Sequence, residues 1–106
     1  MMEFSSTVDI DAALQTILQR KGVVGFIIYK DRGIILHTSF ELEAAKRYAG
    51  VLPDLSYLGQ HMVEDLDPED SLQCLRIRSQ AHEIIIFTRP TYSLAVVQNI
   101  TGFKRS

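Results

Sequence analysis

Apolar residues recur at helical spacing in two stretches of this chain and fill strand-length runs in five others. From Ile10 the positions Ile10, Leu14, Ile17 and Leu18 mark one face of a helix, with Asp9, Asp11, Gln15, Gln19 and Arg20 on the other. Ser6 or Thr7 suits the start, the early aspartates suit the positive end of the dipole, and Lys21-Gly22 suits the stop, so a helix is expected over 7–21. Val23 to Tyr29 and Ile34 to Leu36 then flank Asp31-Arg32-Gly33, where the glycine can take the positive φ of a short hairpin loop. The first of these strands is apolar on both faces and reads as covered above and below.

A second, longer helix is expected from Phe40 to Leu66, where Leu42, Ala45, Ala49, Leu52, Leu55, Gly59, Met62 and Leu66 lie near one stripe. Pro53 has no amide hydrogen to donate and Gly50 is a poor helix former, so a kink or break is expected at 50–54. Asp67-Pro68-Glu69-Asp70 reads as a turn before three further strands, Leu72–Ser79, Glu83–Arg89 and Tyr92–Ile100. Ile84–Phe87 and Leu94–Val97 are continuously apolar and read as central, while Cys74 to Arg78 alternates and reads as an edge. If Gln80-Ala81 is a two-residue loop, Arg78 lies opposite Glu83; neither residue favours a primed turn, so a longer loop stays open. The expected fold is α+β, a five-stranded antiparallel sheet with one helix for each face in the order α-ββ-α-βββ.

At 106 residues the chain has room for one core, so a single domain over 1–106 is expected, with 1–6 and 101–106 flexible. A net charge of −2 offers no surface built to neutralise phosphates, and nucleic acid is not an expected partner. The longest apolar runs fall well short of the ~20 residues of a membrane helix, and the N-terminal residues lack the pattern of a secretory signal. No membrane insertion is expected, and the cytoplasm is the expected location. The single cysteine, Cys74, cannot form an intrachain disulfide and fits a reducing compartment.

Candidate chemistry is sparse. His37, His61 and His82 are scattered without metal-ligand spacing, and Cys74 has no histidine indicated beside it, so it reads as a packing residue. The acidic run Asp65, Asp67, Glu69, Asp70 lacks the glycine and terminal glutamate of a calcium loop and reads as a solvated turn. Gly22, Gly25 and Gly33 make no phosphate loop. Arg76 and Arg78 share a strand face and could hold an acidic partner or pair with Glu83, with Arg78 favoured for that pairing. No catalytic residue, metal site or cofactor is expected.

From about Val8 to Ile100 the chain resembles the roadblock family of dynein light chains. Lys21-Gly22-Val23-Val24-Gly25 looks like that family's KGVxG junction between first helix and first strand, with Gly33 in the hairpin after it. Asp65-Leu66-Asp67-Pro68, Asp70-Ser71-Leu72 and Leu75-Arg76-Ile77-Arg78-Ser79 look like its DIDPxxDLxxLRIRS run, and Glu83-Ile84 and Val97-Gln98-Asn99 complete the pattern. Pro53 and a longer N-terminal lead depart from it.

The resemblance implies a homodimer in which the second helices pack antiparallel and the third strands meet to join two sheets. A free edge strand and a helix stripe carrying Ala45, Ala49 and Gly59 give that pairing a physical motive. The candidate interface is Ala45, Ala49, Leu52, Gly59 and Met62 on the helix, with Leu72, Cys74, Leu75, Arg76, Ile77 and Arg78 on and before the strand. The implied partner is the dynein intermediate chain of a cytoplasmic or axonemal microtubule motor, and the implied role is non-catalytic. Other roadblock-fold proteins scaffold or activate small GTPases, which makes those enzymes the second partner class.

Overall fold

The structure, a computed structural model, describes residues 15–16, 19–20 and 22–100. The helix expected over 7–21 lies almost wholly outside these, as do residues 1–6 and 101–106. The described elements are β1 (Val23–Lys30), β2 (Ile34–Thr38), α1 (Leu42–Leu66), β3 (Cys74–Arg78), β4 (His82–Thr88) and β5 (Ser93–Asn99). All pairings are antiparallel, and the sheet order is β2-β1-β5-β4-β3.

The order follows from which strands can be buried on both faces. Leu94, Ala95, Val96 and Val97 are all buried, as the centre of a five-stranded sheet requires. Toward α1 the core is Ile27, Tyr29, Ile86 and Ala95 of the sheet with Ala45 and Leu52 of the helix. Phe26, Leu94 and Val96 form a second cluster on the opposite face.

Two of the three hairpin turns differ in chemistry. Asp31 and Gly33 both take positive φ, 52° and 110°, in the β1–β2 turn. The β3–β4 loop is the two-residue one, because the Ser79 amide donates to the His82 carbonyl at 2.8 Å and Arg78 stands opposite Glu83. Here Ser79 Oγ accepts the His82 amide, so a hydroxyl completes the turn.

The passage from β2 into α1 is pinned to β1. Thr38 Oγ1 donates to the Phe26 carbonyl, Ser39 Oγ accepts the Phe26 amide, and the Phe40 amide donates to Thr38 Oγ1. The Phe40 ring then lies over Gly25, where a Cβ would sit 2.7 Å from the ring, so the second glycine of the KGVVG segment is there for space.

The expected break at 50–54 does not occur: α1 is one helix of 25 residues with Pro53 inside it. Pro53 still removes the amide that would bond the Ala49 carbonyl. The helix continues because Ala45, Ala49 and Leu52 before it and Leu55 beside it are anchored on the sheet, and that packing outweighs one lost bond.

Candidate partner-binding surface

The two edges of the sheet are not equivalent. β2 is bulged: Ile28 pairs with His37 and Tyr29 with Ile35, which leaves Leu36 without a partner across the ladder. β3 keeps an unbroken register with β4 from Cys74 to Arg78. A bulge twists an edge away from further pairing, whereas a regular edge invites it. Gln73 and Ser79 bond to β4 through Thr88 and His82, and antiparallel alternation then assigns Leu75 and Ile77 to the same ladder. The amides and carbonyls of Cys74, Arg76 and Arg78 therefore point outward, unpaired within the sheet.

Over this edge rides the middle of α1. A Cβ at Gly59 would sit 3.1 Å from Leu72 and 3.7 Å from Leu75, so the helix comes close to the strand only because residue 59 has no side chain. Leu55 and Leu75 pack on one core cluster. The Leu72 amide donates to Gln60 Oε1 and its carbonyl accepts from Thr88 Oγ1, which fixes the lead into β3 between helix and sheet.

The apolar surface of α1 that is free is not the one expected. Ala45, Ala49 and Leu52 are buried against this chain's own sheet, so they are core residues and not contacts for a partner. The reason is that α1 carries two apolar stripes, and the small residues belong to the inward one. The outward one is Val51, Leu58 and Met62, exposed by 61%, 64% and 59%, with Leu66 exposed beyond them. At about 100° per residue the three share one side of the helix, turned by roughly a quarter-turn from the core toward the β3 edge. Met62 is the one expected helix residue that is exposed; Cys74, Arg76 and Arg78 are exposed on β3, while Leu75, beneath the helix, and Ile77 are half-buried on the strand's other face. Sequence reasoning missed Val51 and Leu58, although their spacing to Met62, seven and four residues, was the available signal.

The arginines divide their tasks differently from the expectation. Arg78 stands opposite Glu83, yet it is Arg76 whose Nε lies 2.7 Å from Glu83 Oε2. Glu83 is 8% exposed and also accepts a bond from Gln98 Nε2 at 3.0 Å. A buried carboxylate needs such partners, so Arg76, itself still largely exposed, reaches across to Glu83, and Arg78 is left without that pairing.

The remaining candidates do not converge. His37 packs on Phe26, and His61 meets Tyr57 edge-on at 4.3 Å between ring centroids. Among the described residues no three His, Cys, Asp or Glu side chains are grouped to hold a metal ion. In the acidic turn Asp67 accepts the Glu69 amide and Asp70 the Ser71 amide, the work of a self-capped turn. A cavity of about 330 Å³ at the end of the sheet is lined by Tyr29, Pro53, Ser56, Pro90 and Tyr92 among others. The Tyr29 hydroxyl pairs there with Ser56, and the Tyr92 hydroxyl is buried without a partner. Among the described residues no helix is long and apolar enough to cross a membrane.

Compared with known families, residues 9–99 match the model of the Roadblock/LC7 domain. The chain belongs to the Roadblock/LC7 family. Among solved structures, this roadblock chain is similar to the Roadblock/LC7 domain from Streptomyces avermitilis, with a TM-score of 0.72 and 12% identity over 77% of this chain and 70% of that one. It is also similar to MglB, solved in a tetrameric arrangement, with a TM-score of 0.68 and 12% identity over 85% of this chain and 69% of that one. At such identity the likeness is one of fold. It agrees with the five-stranded antiparallel sheet and its helix.

Proposed function

We propose that this roadblock chain is a non-catalytic adaptor that works as a pair of identical copies, joined along β3 and along the outer stripe of α1. The observation that carries this reading is the adjacency of two unfinished surfaces, the unpaired groups of Cys74, Arg76 and Arg78 and the open side chains of Val51, Leu58 and Met62. Burying the exposed part of these three apolar side chains is worth about 1–2 kcal/mol each, before the cost of association. Pairing the strand edge satisfies amides and carbonyls that otherwise template unwanted association.

On this reading the joined sheet presents a platform for a segment of the dynein intermediate chain, in a cytoplasmic or axonemal motor. Support comes from the family and from the resemblance of the DLDPEDSLQCLRIRS run, which ends in β3, to the run of the dynein light chains. The test has two parts. Sedimentation should give a dimer at micromolar concentration, and the dimer should retain an intermediate-chain segment in a pull-down. A monomer at that concentration, or a dimer that never retains the segment, opposes the reading.

The second reading, a scaffold or regulator of small GTPases, rests on the same family membership. It predicts that adding the chain changes the hydrolysis rate of at least one member of a GTPase panel, whereas the dynein reading predicts no change.

A further inference from the structure

Arg47 and Asp65 lie eighteen residues apart on α1, five full turns, so they leave the helix in the same direction about 27 Å from each other along its axis. Val51, Leu58 and Met62 lie between them on nearly the same side. Both charged residues are exposed, and neither has an ion-pair partner among the described residues, where the one ion pair is Arg76 with Glu83. The open stripe thus ends in a positive charge toward the N-terminus and a negative charge toward the C-terminus.

The midpoint of the two is Ser56, and the 55–59 segment is the part of α1 seated over β3 through Gly59, Leu72 and Leu75. A two-fold axis through the middle of β3 therefore also passes the midpoint of Arg47 and Asp65. An isologous contact sets every residue against its symmetry mate's counterpart. Antiparallel helices centred on residue 56 set Arg47 against the partner's Asp65 at both ends, while parallel helices would set like charges together.

We infer that Arg47 and Asp65 form two reciprocal ion pairs at the rim of the two-copy contact, which fix its antiparallel register and select a second copy of this chain over a helix with other charges. This rests on the pairing of copies proposed above and adds to it the residues that decide register and partner choice. Rim charges act mainly on specificity and on the rate of encounter, and each exposed pair is modest in strength. Discrimination comes from repulsion in the wrong pairing: Lys46 faces away from the stripe, and Glu43, one turn before Arg47 on the same side, falls beyond the end of the partner's helix when the pair is centred on residue 56.

The test uses two single charge reversals, Arg47→Asp and Asp65→Arg, made in the full chain. Each alone sets like charges together at both ends of the contact, so each homodimer should dissociate at least tenfold more readily than the parent. Mixed together, the two variants restore opposite charges at both ends and should form the heterodimer in large excess over either homodimer by native mass spectrometry. The chain carrying both reversals should dimerise like the parent. Unchanged melting curves for the single variants show that the exposed substitutions leave the fold intact. Homodimers of both single variants as tight as the parent, or a mixture in statistical 1:2:1 proportion, overturns the inference while leaving the dimer itself standing. A parent chain that is monomeric removes the underlying reading as well.

Discussion

Gly33, in the β1–β2 turn, stands against the carbonyl oxygen of Ala49 in α1, so closely that a Cβ on it would lie 2.5 Å from that oxygen. The same carbonyl is the one that Pro53 leaves without its helical donor. The hairpin turn and the proline site thus meet, and the glycine is required there both by the space and by its φ of 110°. Gly33→Ala should lower stability by at least about 1–3 kcal/mol, read from urea unfolding midpoints at constant slope. A midpoint equal to the parent's would show that the turn can move off the helix without cost.

Gly25 and Phe40 should be energetically coupled. Gly25→Ala forces the Phe40 ring aside and should destabilise by about 1–3 kcal/mol. In a Phe40→Leu background the penalty should shrink, giving a double-mutant coupling of at least about 0.5 kcal/mol. Additive effects would mean that the ring does not rest on the glycine in solution.

Glu83→Ala removes the carboxylate that accepts from Arg76 and Gln98, and should cost about 0.5–1.5 kcal/mol, because the exposed Arg76 can turn to water when its acceptor is lost. Arg78→Ala should change stability by less than about 0.5 kcal/mol, as expected for a surface position. Equal losses for Arg76→Ala and Arg78→Ala would mean that the two arginines share Glu83.

Leu58→Asp and Ala49→Glu separate surface from core on the same helix. Leu58 is open, so its variant should keep a folded monomer and lose self-association. Ala49 is 7% exposed against the sheet, so a buried unpaired carboxylate there should unfold the chain, visible as loss of the cooperative thermal transition. A folded, dimeric Leu58→Asp variant would remove the outer stripe from the contact.

Much of this fold is legible in the sequence because the period of the apolar residues changes cleanly between strands and helix. The edge position of Cys74–Arg78 shows in its alternation, and the burial of Leu94–Val97 in its lack of any. Three features are hidden. The β1–β5 pairing joins segments far apart in the chain, for which local pattern carries no signal. The continuity of α1 through Pro53 depends on anchoring by Leu52 and Leu55, which a propensity argument weighs too lightly. The orientation of α1 is ambiguous because two apolar stripes are present: small residues at Ala45 and Ala49 suit a partner helix and suit this chain's own sheet equally well. Their burial is decided by the sheet, and the exposed apolar side of the helix falls to Val51, Leu58 and Met62.

Pairing of two copies along β3 is tested most directly by amide hydrogen exchange at Cys74, Arg76 and Arg78, whose N–H groups point away from β4. Two joined copies predict slow exchange at these three positions that becomes fast as the chain is diluted, while Leu75 and Ile77, bonded to β4, keep their protection until the fold itself opens. Fast exchange at Cys74, Arg76 and Arg78 at every concentration would show an edge that meets only water, and the proposed platform would not exist.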